Sequence, residues 1–252
     1  MNKIRIIPII LFNDSNIIKG KRFSSWRIIG NLKQSIRIFS LREVDELIIL
    51  DISASKSSKE INLKLIDEIA DDCFMPLTVG GGIKSLKDIE NVLNLGADKV
   101  SINTQAFLNR NFLSDAINKY GSQCIVVSVD YKKKSNGKKE VFIEYGTKST
   151  GVELENYLKE INRLKPGEIM LTSIDHDGMM GGYDLETLSN ANKFLDVPLI
   201  ASGGCGVYKD MYNLVKKTKI KTIAASSIFN FTESTPLEAK FFLKKKGLKV
   251  RI

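Results

Sequence analysis

The chain repeats itself at long range. Pro76-Leu77-Thr78-Val79-Gly80-Gly81-Gly82 is echoed by Pro198-Leu199-Ile200-Ala201-Ser202-Gly203-Gly204, an offset of 122 residues between positions 76 and 198. Glu46 and Glu168 keep the same step, and Asn103-Thr104 is answered by Ser226-Ser227 with one residue of slippage. A period of nearly half the chain means two similar halves sharing one architecture.

Short apolar, β-branched runs mark eight strands: Ile4–Leu11, Leu47–Ile52, Leu77–Val79, Lys99–Ile102, Cys124–Val129, Ile169–Ser173, Leu199–Ala201 and Thr222–Ala225. Helical patterns separate them. In the stretch from Ser85 to Leu93, Ser85 and Asp88 form a capping-box pattern and Leu86, Ile89, Val92 and Leu93 share a face, with Gly96 as the stop. Eight strand–helix units predict a parallel sheet, and 252 residues with 43% hydrophobic content suit one closed (β/α)₈ TIM barrel spanning residues 1–252.

Composition excludes several classes. No run of 18 apolar residues appears, and Met1–Phe12 lacks a small-residue cleavage site, so we expect a cytoplasmic chain with no membrane segment. Cys73, Cys124 and Cys205 lie far apart and His176 is the single histidine, which argues against disulfides or a structural zinc site; we expect no metal and no cofactor. A net charge of +9 favours anionic ligands or acidic partner surfaces. The lysine runs Lys132–Lys134 and Lys244–Lys246 lack interleaved aromatics, so nucleic-acid binding is not expected.

Each half ends its third strand in a glycine pair, Gly81-Gly82 or Gly203-Gly204, and its fourth in small polar residues, Asn103-Thr104 or Ser226-Ser227. Glycines let backbone N–H groups approach an anion closely while hydroxyls donate to it. Two such cradles fit a phosphorylated small molecule with an anion at each end.

These residues carry a resemblance. Arg5-Ile6-Ile7-Pro8, Leu50-Asp51-Ile52, Thr78-Val79-Gly80-Gly81-Gly82-Ile83, the run from Gly96 to Thr104, the run from Leu171 to Gly178, Gly182-Tyr183-Asp184, Ala201-Ser202-Gly203-Gly204 and the terminal Gly247-Leu248-Lys249-Val250-Arg251 resemble the cyclase subunit of imidazole glycerol phosphate synthase, HisF, almost end to end. The resemblance implies a barrel that docks a glutaminase, HisH, on its N-terminal face. Ammonia then passes through the barrel to a bis-phosphorylated ribulosyl ligand at the C-terminal face, where aspartates ending the first and fifth strands act as general acid and base.

Carried across residue by residue, the fifth-strand aspartate is Asp130, whereas the first-strand position holds Leu11. An isobutyl side chain cannot exchange a proton, and losing such a group costs about two to four orders of magnitude in rate. The resemblance also places Arg5, Glu46, Lys99 and Glu168 in a charged ring that gates ammonia, and Asp98 at the glutaminase interface. Lys19, in the long loop after the first strand, and Asp51, Asp177 and Gly178 complete the expected ligand contacts.

A branch of the family with an apolar first strand and a loop like Arg22-Phe23…Trp26-Arg27-Ile28-Ile29-Gly30 belongs to surface-glycan pathways. There the barrel and a HisH-like glutaminase supply ammonia to an ATP-dependent sugar amidotransferase that makes an acetamidino sugar. This chain is expected to do the same. The alternatives are an authentic cyclase of histidine biosynthesis that tolerates Leu11, and a phosphate-sensing activator of the glutaminase.

Overall fold

The structure, a computed structural model, describes residues 3–42, 44–53 and 61–251. In chain order the elements are β1 (Arg5–Asn13), β2 (Asn16–Lys21), β3 (Ser24–Asn31), α1 (Leu32–Leu41), β4 (Leu47–Asp51), α2 (Leu63–Ala70), β5 (Leu77–Gly80), α3 (Leu86–Asn94), β6 (Lys99–Ile102), α4 (Thr104–Leu108) and α5 (Arg110–Tyr120). The second half adds β7 (Ile125–Lys133), β8 (Lys139–Ile143), β9 (Lys148–Glu153), α6 (Leu154–Leu164), β10 (Glu168–Ser173), α7 (Leu185–Phe194), β11 (Leu199–Ser202), α8 (Tyr208–Thr218), β12 (Thr222–Ala225), α9 (Ser227–Phe231) and α10 (Pro236–Lys245).

Eight strands close a parallel barrel in the order β1-β4-β5-β6-β7-β10-β11-β12, with β7 pairing β10 and β12 returning to β1. All eight expected strands are found, displaced by a few residues at their ends. The closed (β/α)₈ barrel is therefore the fold, and its outer sheet face and helices bury one apolar core. A second cluster, including Ile7, Ile48, Val126, Met170, Ile200 and Ala224, fills the interior, as alternation along a barrel strand dictates.

The two halves match in detail. Gly81 and Gly82 have φ of 99° and 74°, and their counterparts Gly203 and Gly204 have 91° and 108°, so all four occupy the left-handed region that glycine tolerates. Asp88 accepts from the N–H groups of Lys84 and Ser85 at the start of α3, and Asp210 accepts from Gly206 and Val207 at the start of α8. Five-residue helices α4 and α9 follow β6 and β12. The first strand of each half carries an antiparallel hairpin, β2–β3 on β1 and β8–β9 on β7.

One expectation is corrected here. Lys19 lies within strand β2 and not in an open loop, and its side chain is buried. Ladder pairing of Asn16–Lys21 with Ser24–Asn31 holds that segment over the C-terminal end of the barrel.

Candidate active site

A cavity of about 950 Å³ opens at the C-terminal face. Inward-facing residues of successive strands build it. On β7 alternation points Val126, Ser128 and Asp130 to the interior, and on β6 it points Ser101 there, one pleat below Asn103. From β1 and β4 come Ile9, Leu11 and Leu50, so one wall is apolar.

The structure gathers Leu11, Lys19, Asp51, Gly81, Asn103, Thr104, Asp130, Asp177, Gly203, Gly204, Ser226 and Ser227 around this one space. Gly82 and Gly178 are not among its lining residues. The role visible for Gly178 is close packing, because a Cβ there would stand 2.2 Å from the carbonyl oxygen of Gly20 in the lid hairpin.

Asp130 is the most perturbed carboxyl of the site. Burial pushes its carboxyl up to about 7 and the charge of Asp177 pushes the same way, against the Asn103 amide, which donates to Asp130 at 2.8 Å. A carboxyl titrating there can give or take a proton near neutrality. Asn103 also donates to the Ser128 carbonyl at 3.1 Å, which fixes the orientation of its amide.

The other lining carboxylates are occupied. Asp51 accepts from the Ser53 backbone and hydroxyl at 2.8 and 2.7 Å, so it caps a turn while bordering the cavity. Asp177 accepts from Lys19 at 3.1 and 3.3 Å. Among the described lining residues Lys19 is the one cation, and its charge is paired by this contact. Among the described lining residues, the groups free to meet a phosphate are backbone N–H groups at the glycine pairs and hydroxyls at Thr104, Ser226 and Ser227.

Several lining residues escaped sequence reasoning. Phe23 and Tyr145 come from the hairpin turns and line the mouth, and the Tyr145 hydroxyl donates to the Asp51 carbonyl at 3.2 Å. Nothing local signals such long-range contacts. Ser128 was findable, since it sits two residues before Asp130 and so shares its face. Trp26, in β3, packs on Gly20 and also borders the cavity. His176 bonds Ser173 at 2.9 Å and is a loop residue. Cys205 lines the cavity, but burial pushes its thiol to about 12, which leaves it unreactive.

At the opposite end of the barrel, Arg5, Glu46, Lys99 and Glu168 form a closed ring of alternating charge. Arg5 donates to both carboxylates, and Lys99 donates to Glu46 at 2.9 Å and to Glu168 at 2.7 Å. Burial opposes ionisation of Glu46, but the Arg5 and Lys99 charges outweigh it and hold its carboxyl below the ordinary value. The same attraction from Glu168 and Glu46 outweighs burial of Arg5 and Lys99 and raises both. Asp98, exposed beside Lys99, accepts from the Leu77 N–H at 2.8 Å and so also braces the start of β5.

Among the described residues no helix is long and apolar enough to cross a membrane. The chain matches the histidine biosynthesis protein family over residues 5–234. It is 41% identical to the imidazole glycerol phosphate synthase subunit HisF of Dictyoglomus thermophilum over 98% of each chain. Identity is 40% to that of Natranaerobius thermophilus, again over 98% of each. A Campylobacter jejuni protein assigned by name to imidazole glycerol phosphate synthase as subunit hisF2 is 44% identical over the full length of both chains.

Proposed function

The chain belongs to the HisF family of imidazole glycerol phosphate synthase subunits, and on that premise we propose that it is the ammonia-receiving subunit of a cytoplasmic glutamine amidotransferase pair whose own cyclase chemistry is impaired. The partner is a HisH-like glutaminase seated on the N-terminal face. Support comes from the intact charged ring there and from two exposed apolar side chains at the same face, Leu41 at the end of α1, 85% exposed, and Phe74 in the connection from α2 to β5, 88% exposed. Large apolar side chains left in water at the same end of the barrel as a charged ring suit a protein interface.

The observation that carries the impaired chemistry is Leu11 on the cavity wall. Asp51 accepts from Ser53 and Asp177 is paired with Lys19, so each carboxylate is already engaged and neither replaces the missing first-strand carboxyl. The ammonia then goes onward to an ATP-dependent sugar amidotransferase that forms an acetamidino group. Kinship with a protein numbered as a second hisF agrees with a specialised copy. One observation favours an authentic cyclase instead: Asp130, titrating at about 7, is able to act as acid and base in turn.

Formation of imidazole glycerol phosphate from the ribulosyl substrate with added ammonium salt separates the two. We expect a rate about two to four orders of magnitude below that of an authentic family member, raised by Leu11→Asp. Family-level turnover by the unaltered chain overturns the proposal.

A further inference from the structure

Beneath the charged ring lies an ion pair that the proposed function does not use. Asp45 and Lys240 are among the most buried charged residues of the protein, 6% and 4% exposed, and their side chains meet at 2.8 Å. They are 195 residues apart in the chain, Asp45 just before β4 and Lys240 in the middle of α10. Burying two charges this completely is costly and gives no assured gain in stability over apolar residues of similar volume, so the placement asks for another reason.

The backbone supplies one. β1 pairs β12 through Arg5 to Pro8 but does not meet β4 until Ile9 faces Ile48. The Arg5 N–H donates to the Lys221 carbonyl on the β12 side, which turns the Ile6 N–H toward β4, below the point where that ladder begins. The second carboxylate oxygen of Asp45 accepts from this Ile6 N–H at 3.0 Å. One carboxylate thus ties three parts of the floor: the residue after Arg5, the residue before Glu46, and α10. The tail holds the other side, where the Ile4 N–H donates to the Lys249 carbonyl and the Arg251 N–H to the Ile4 carbonyl.

We infer that Asp45 and Lys240 are positioning residues that set the register of Arg5 against Glu46 and so hold the four-membered ring closed. Neither touches the ring's charges directly; they act through the backbone of their neighbours. The inference concerns the geometry of the ring and stands whatever passes through it, so its failure is distinct from failure of the proposed function.

The test reads the ring itself in the intact chain. Carboxyl ¹³C NMR would follow the titration of Glu46, which in the unaltered protein sits below the ordinary glutamate value because Arg5 and Lys99 hold it. The double variant Asp45→Asn with Lys240→Met removes both charges of the pair. We expect it to fold with Glu46 shifted back toward the ordinary value, and the side-chain ¹⁵N–¹H signal of Lys99 lost to solvent exchange. Lys240→Gln keeps a donor to Asp45 and gives a milder form of the same test should the double variant fail to fold. Lys240→Arg, which keeps the ion pair, should restore both signals. Arg110→Gln, which breaks the remote Arg110–Glu160 pair, should leave them untouched. A folded Lys240→Gln or double variant with the Glu46 titration and the Lys99 signal of the unaltered chain overturns the inference.

Discussion

Asp130 sits where its neutral form is favoured, and this has a consequence for stability that is separate from chemistry. Its folded-state carboxyl titrates at about 7, raised by burial and then by Asp177, whereas an unfolded aspartate titrates near ~3.9. The folded chain therefore holds the proton more tightly, and stability falls as pH rises between about 4 and about 7 before levelling. Asp130→Asn removes that penalty. We expect it to raise the midpoint of thermal unfolding at pH 8 by several degrees and at pH 4.5 by much less, with a ceiling of about 4 kcal/mol. Equal gains at both pH values, or a loss at pH 8, would show that the Asp130 charge is well solvated or paired in the fold. Sequence reasoning found this residue through its motif but gave no sign of its surroundings, because Asn103 and Asp177 reach it from the segments after β6 and β10, 27 and 47 residues away.

The hairpins were the least legible elements. Ser135-Asn136-Gly137 is a recognisable turn, and the lysines around it fall on a β7–β8 hairpin. The β2–β3 turn is different, since Arg22, Phe23 and Ser25 all adopt positive φ without a glycine among them. Residues that rarely take that conformation announce no turn, and tertiary contacts must hold it. Those contacts are visible: Lys19 pairs with Asp177, the Arg22 N–H donates to the Asp177 carbonyl at 2.8 Å, and Arg27 stacks over Phe231. Gly178, φ 73°, is the backbone seat for all of this. Gly178→Ala should lift the hairpin by forcing a methyl against Gly20, with strain of about 1–3 kcal/mol. Limited trypsin digestion gives the readout. Cleavage after Lys21 and Arg22 should accelerate at least tenfold while the barrel stays folded by circular dichroism, and an unchanged cleavage rate would mean that the hairpin is held by its own ladder alone.

At the scale of the whole molecule, the half-barrel repeat legible in the sequence becomes a matched pair of loops facing one cavity. The match extends to what the glycines touch: a Cβ on Gly81 would meet the Asp51 carbonyl at 2.1 Å, and one on Gly203 would meet the Ser173 carbonyl at 2.8 Å. Asp51 and Ser173 are themselves 122 residues apart. If each loop binds one phosphate, a sugar with two phosphates gains from both, because the second contact is made at high effective concentration once the first has formed. A bisphosphate should then bind about 10²-fold or more tightly than either monophosphate, as measured by calorimetry. Gly81→Ala and Gly203→Ala should each reduce the bisphosphate to monophosphate affinity, and to similar degrees, because the two sites are copies. A large loss for one variant and none for the other would show that only one half kept its anion site, with the second glycine pair serving its βα turn. Since Lys19 is already paired and Asp51 and Asp177 border the same space, the affinity should also depend weakly on salt, as expected for dipolar N–H and hydroxyl donors. A steep fall between 50 and 500 mM salt would instead place mobile surface lysines at the ligand and count against the cradles.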